Sequence, residues 1–123
     1  MNPRVLSEAY FRKPPQNYNC AQAVLLGFRD VCGVTDEEVA RFAPYRGGRT
    51  PTGECGALYA ANYLLARRGL PTVREAFEKE AGALTCLDIR TRTHYPCVAC
   101  VQLADRLLSE RLKADIPQAP QEE

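Results

Sequence analysis

A chain of 123 residues, 46% hydrophobic and 25% charged, has the make-up of a single globular unit large enough for a real core. Its formal net charge of +1 offers no field to draw it to nucleic acid or to an anionic membrane surface, and no apolar run approaches the ~20 residues that a membrane span needs. Met1 to Lys13 lacks the apolar core of a signal peptide, so a cytoplasmic address is expected, and there six cysteines point to metal binding or thiol chemistry before structural disulfides.

Arg4 to Arg12 reads as a short helical stretch with Val5, Leu6, Ala9 and Tyr10 on one side, ended by Pro14 and Pro15. Asn19 is an N-cap residue, which puts Cys20 first in a helix whose apolar stripe continues through Ala23, Val24, Gly27, Phe28 and Val31. Cys32 lies on the same predicted helix, twelve residues on and so about 18 Å away; it cannot share a small site with Cys20 and is expected to be structural. Gly33 is its C-cap. Thr35-Asp36-Glu37-Glu38 opens a short helix that Pro44 stops.

Gly47 to Ala57 is the stretch around which the rest is organised. Gly47, Gly48 and Gly53 permit positive φ, Pro51 stiffens the loop, and Cys55 falls near the first turn of the helix that follows. That helix carries Ala57, Leu58, Ala60, Ala61, Leu64 and Leu65, places Tyr59 and Tyr63 four apart for packing, and closes at Arg67-Arg68-Gly69. The next helix turns Val73, Ala76, Phe77 and Ala81 inward and is interrupted by Gly82. Thr85, with Asp88 three residues later, caps a short helix with Cys86 in its first turn. Pro96 at a first helical position opens the last long helix, in which Cys97, Cys100, Val101, Ala104, Leu108 and Leu112 form the stripe and Asp105, Arg106, Glu110 and Arg111 face water. No segment alternates with period two. The expected fold is all-α, a compact bundle of about five to seven helices in one domain over residues 1–115, with a flexible tail over 116–123.

Cys20, Cys55, Cys86 and Cys97 each fall at or beside a predicted helix start, where unpaired N–H groups and the macrodipole lower a thiol's pKa. If these ends converge, the amides surround the sulfurs and stabilise thiolates or an anionic iron–sulfur cluster. Cys97 and Cys100, a CxxC pair on one helical face, can chelate a metal or form a redox disulfide; with no second CxxC a zinc ribbon is not indicated, and with no βαβ pattern neither is a thioredoxin site. Gly48, Gly53 and Gly56 would shape access to a bound cofactor and offer N–H groups to the sulfurs. His94, the sole histidine, is a candidate ligand three residues before Cys97, although loop histidines are more often solvated. Arg46, Arg49, Arg90 and Arg92 are candidates to receive an anionic substrate, a hydrated surface being their commoner fate. There is no Walker loop, and no strand precedes the glycines to make a dinucleotide fingerprint.

Asn19-Cys20-Ala21-Gln22-Ala23-Val24-Leu25, the Gly47-Gly48 loop into Cys55-Gly56-Ala57, Cys86, and Cys97 followed by Val101 together resemble the C_GCAxxG_C_C family. These are small helical proteins regarded as redox-active, their function largely unassigned. The resemblance runs from about Ala9 to Leu108 and implies a redox role for Cys20, Cys55, Cys86 and Cys97, with Gly56 beside Cys55. Cys32 and Cys100 are additions to the pattern, and Ala60 stands where the pattern usually has glycine, a methyl that would narrow a helix contact or the approach to a cofactor.

The leading expectation is an iron–sulfur cluster or other metal on Cys20, Cys55, Cys86 and Cys97, used for electron transfer or redox chemistry, because four ligand-capable thiols exceed what a dithiol needs. The alternatives are a thiol–disulfide oxidoreductase in which Cys97 attacks and Cys100 resolves, and an interaction domain with inert buried cysteines. A redox partner of unassigned identity and a homodimer are the expected associations; nucleic acid and membrane are not.

Overall fold

Asn19 decides how the first helix starts and where it sits. Its side chain accepts from Gln22 N–H at 2.8 Å while Gln22 Oε1 accepts from Asn19 N–H at 3.1 Å, a reciprocal cap on α1 (Cys20–Gly27). The Asn19 amide also donates to the carbonyls of Phe42 and Ala43 at 3.0 and 3.1 Å, and Gln22 Nε2 donates to the Val39 carbonyl at 2.9 Å. Both capping residues therefore double as clamps onto α3 (Asp36–Arg41), which has its own capping box between Thr35 and Glu38.

The computed structural model describes residues 6–45 and 49–115. Among them the chain is all helical, with two isolated bridges and no strand: α1 and α3 as above, α2 (Arg29–Cys32), α4 (Gly56–Arg67), α5 (Arg74–Ala81), α6 (Cys86–Asp88) running into a π-turn (Ile89–Thr93), and α7 (Cys97–Asp115). None of these helices is long and apolar enough to cross a membrane.

The core is built where α1, α4 and α7 pack against one another. Leu25 and Phe28 at the end of α1, Leu58, Leu64 and Leu65 of α4 and Leu108 of α7 are buried there, with Phe77 added from α5. Small residues on the facing surfaces, Ala21, Ala57, Ala60, Ala61 and Ala104, are all fully buried and let the helices approach closely. On the flank of α4, Tyr59 and Tyr63 pack with Phe42 and Tyr45 in edge and tilted ring contacts, and Tyr63 Oη donates to Glu38, which also takes Arg67 at 2.8 Å.

The structure departs from the sequence reading at four places. The first helical stretch is a single 3-10 turn over Ser7–Ala9, with Leu6 exposed and Ser7 buried; Arg4 and Val5 lie outside the described residues. Ser7 sits against Gly27, where any Cβ would collide with it, and Ser7 N–H donates to Asp105 at 2.8 Å. Asp105 is thus buried as the acceptor for that turn and does not face water. The helix expected to run from Cys20 to Cys32 is interrupted at Phe28 (φ −113°, ψ 21°), whose ring is buried, and Val31 is left exposed. Pro96 precedes the first residue of α7 and serves through its carbonyl, which accepts from Cys100 N–H at 3.0 Å. The expected tail over 116–123 lies outside the described residues.

Asn19→Ala removes the cap and leaves the Phe42 and Ala43 carbonyls without their donor. We expect a loss of about 2 kcal/mol, seen as a fall of roughly 6–10 °C in thermal midpoint, with Asn19→Asp in between because it keeps the cap acceptor. An unchanged midpoint for Asn19→Ala would contradict the double role.

Candidate functional site

Three helices that make the core also begin with, or directly after, a cysteine. Cys20 opens α1, Cys55 is the N-cap of α4, and Cys97 opens α7; Cys86 opens α6 under a Thr85 cap. Their ends meet. Cys20, Cys55, Cys86 and Cys97, with Cys100 one turn into α7, line one cavity of about 170 Å³.

Two arrangements set this meeting. Gly56 lets the start of α4 approach the start of α1: a Cβ there would stand 3.3 Å from Ala21 N and 3.3 Å from the Tyr45 carbonyl. The chain before α4 is also stitched to the chain before α6. Cys55 N–H donates to the Leu84 carbonyl at 2.8 Å, Cys86 N–H to the Gly53 carbonyl at 3.4 Å, and Glu54 faces Thr85 in an antiparallel bridge. Thr50 Oγ1 holds the Glu54 carbonyl at 2.9 Å, and the buried Glu54 carboxylate is ion-paired to Arg74 Nε at 2.7 Å. Gly53, at φ +80°, makes the turn that this stitching requires.

None of the six cysteines is in a disulfide, and four of the five in the cavity fall into two pairs. Cys20 donates to Cys97, so Cys20 is held protonated with its pKa pushed up, reinforced by burial; Cys97 is lowered to about 6, chiefly by that hydrogen bond, with Arg12 and Arg90 adding to it against the cost of burial. Cys100 donates to Cys55 in the same way: Cys100 is raised and Cys55 lowered. The Cys55 sulfur also lies beside the N–H groups of Leu58 and Ala57, near enough to favour a thiolate though not aligned as a cap hydrogen bond. Cys86 stands outside the pairs, raised by burial and partly offset by Arg90.

The rest of the wall is aromatic and cationic. Phe11, Tyr45, Ile89 and Tyr95 supply apolar surface, Arg12 and Arg90 supply charge, and among the described residues no Asp or Glu lines the wall. Arg90 was legible in the sequence as a candidate anion receiver; Phe11, Arg12 and Tyr45 were not. Arg12 reaches the cavity because the chain doubles back between Phe11 and Tyr18, which pair as an isolated bridge, with Arg12 at φ +55° and its N–H on the Tyr18 carbonyl at 2.9 Å. No local sequence signal announces that fold-back.

Other candidates lie elsewhere. His94 is exposed, closes the π-turn at φ +55° with its N–H on the Ile89 carbonyl, and does not line the cavity. Cys32 is half-buried at the end of α2, away from the cavity, and its carbonyl takes Arg67. Arg92 pairs with Asp88 at 3.8 Å and Arg49 is exposed, neither lining the cavity. Of the glycines, Gly56 is in the cavity wall and Gly53 lies in the loop behind it; Gly48, with Gly47 and Arg46, lies outside the described residues. The Ala60 methyl is buried in the helix contact and does not border the cavity.

Among the described residues, no three His, Cys, Asp or Glu side chains are arranged so as to hold one metal ion. The sulfurs of Cys20, Cys55, Cys86 and Cys97 share the cavity with Cys100; Cys20 interacts with Cys97, Cys55 with Cys100, and Cys86 stands apart. Comparison with family models, curated proteins and solved structures finds no match to this chain.

The sign of the Cys97 shift fixes a pH profile. Because its thiolate is stabilised, alkylation of Cys97 by iodoacetamide should follow a midpoint near pH 6, stay flat above it, and fall tenfold per pH unit below it. Cys20→Ala removes the donor and should carry the midpoint up towards the ordinary thiol range near ~8.5. A wild-type midpoint already in that range would contradict the pairing.

Proposed function

We propose that the cavity is a thiol–disulfide exchange site in which Cys97 attacks and Cys20 resolves. The supporting observation is that Cys20 and Cys97, at the starts of two different core helices, line the same cavity, where their interaction lowers Cys97 and raises Cys20. An attacking thiol works best with a pKa near ambient pH, and Cys97 is only partly buried while Cys100 is closed off. The sequence reading took Cys100 as the resolving thiol; Cys100 is engaged with Cys55, which favours Cys20 in that part.

The Cys97 thiolate attacks one sulfur of a disulfide substrate, forming a mixed disulfide and releasing one substrate thiolate. The Cys20 proton passes to that leaving thiolate. Cys20 then attacks the Cys97 sulfur, the mixed disulfide breaks, and the second substrate thiolate takes a proton from water. Two electrons have moved to the substrate, which leaves as two thiols, and the protein holds a Cys20–Cys97 disulfide. A dithiol reductant restores it by the reverse exchange. This keeps the redox role that the C_GCAxxG_C_C resemblance implies.

A second reading rests on the five sulfurs around one cavity: a metal or iron–sulfur cluster held by Cys20, Cys55, Cys86 and Cys97. Among the described residues no three His, Cys, Asp or Glu side chains are placed to hold a metal ion, so this reading asks the sulfurs to move together.

The two readings separate on reduced protein purified without oxygen. Treated with a small disulfide, the wild type should lose two protons in mass, and peptide mapping should find Cys20 joined to Cys97. Cys20→Ser should instead stall as the mixed disulfide on Cys97, and Cys97→Ser should not react there. Stoichiometric metal with a visible thiolate or cluster absorption, and no Cys20–Cys97 bridge, would replace the first reading by the second.

A further inference from the structure

We infer that the cavity recognises a small carboxylate-bearing disulfide or thiol, held by Arg12 and Arg90 while its sulfur meets Cys97; this rests on the exchange reading above. The chain as a whole is nearly neutral, yet among the described residues the cavity wall carries two guanidiniums and no carboxylate. Among the described residues neither Arg12 nor Arg90 is ion-paired to an acid; of the arginines without an acid partner, these two line the cavity. Both already favour the Cys97 thiolate, and with no carboxylate paired to either, the donors each guanidinium does not spend on sulfur can meet a ligand's carboxylate.

Their positions are also fixed. The Arg12 guanidinium lies over the Phe11 ring at 4.8 Å, and its backbone is tied to Tyr18. Arg90 stands on the π-turn after α6 and lines the cavity beside Cys86, whose thiol its charge lowers against the effect of burial. A planar fork of donors on either residue suits a carboxylate.

Size narrows the class. A cavity of about 170 Å³ holds on the order of half a dozen waters at ~30 Å³ each, room for one arm of an amino-acid-sized thiol and not for a stretch of folded protein. The Phe11, Tyr45 and Tyr95 rings give that arm apolar contact while the carboxylate meets the arginines.

The test compares two alkylating agents of similar size, anionic iodoacetate and neutral iodoacetamide, on Cys97 above pH 8. The ratio of their rates cancels any change in thiolate fraction. In the Arg12→Gln/Arg90→Gln variant the iodoacetate-to-iodoacetamide ratio should fall about three- to tenfold, and added salt should lower the wild-type ratio towards the variant's. The single variants should each show part of the fall, and they stand in if the double variant does not fold. A ratio unmoved by both substitutions and by salt overturns the inference. Exchange with the dicarboxylate disulfide of mercaptoacetate and the neutral disulfide of mercaptoethanol then separates this inference from the reading beneath it. Equal rates with both leave exchange standing and overturn anion recognition. Failure of both, with the alkylation preference intact, overturns exchange and leaves the anion site.

Discussion

The close approach of α1 and α4 at their first turns is the constraint on which the site depends. Gly56 has no side chain to hold Ala21 and Tyr45 away, and across that contact Cys55 and Cys20 reach the same cavity. The third core helix, α7, packs on both and brings Cys97 and Cys100 to the same end. Helix starts are where backbone N–H groups lack intrahelical partners, so gathering three of them makes an environment that favours sulfur anions without using up a side chain. Asn19 secures the arrangement from the other side, since the same amide group caps α1 and holds α3.

Protonation within the cavity follows from pairing more than from burial. Burial alone raises every thiol, as it does Cys86. Where two sulfurs share a proton, one is raised and the other lowered, and the identity of the lowered one depends on what else faces it. Cys97 has Arg12 and Arg90; Cys55 has the amides of α4. The better exposed of the two is Cys97, which makes it the natural point of entry for a reagent. The Cys55–Cys100 pair is closed in and serves as the floor of the cavity.

Local chemistry was readable in the letters, and long-range chemistry was not. Asn19 with Gln22, Thr35 with Glu38 and Thr85 before Cys86 act within one turn, and each caps the helix that its residue types suggest. The all-α class follows from the same local periodicity. The break at Phe28, whose ring is buried, is a different matter; the burial of Asp105 depends on a turn 98 residues earlier in the chain. Arg12 enters the site through a backbone reversal in which a non-glycine residue takes a positive φ, which residue type argues against. The cysteine set was visible as four helix starts, but the partnership of Cys97 with Cys20 instead of its sequence neighbour Cys100 is a product of how three helices cross.

The central claim is that Cys20 and Cys97 stand close enough in the folded, reduced protein to act together. A trivalent arsenical such as phenylarsine oxide bridges two thiols only when they are neighbours. One equivalent added to the native protein should protect Cys97 and Cys20 together from later alkylation, with the remaining cysteines still assigned by peptide mass. Protection of neither, or capture of Cys97 with any partner in preference to Cys20, would contradict the account.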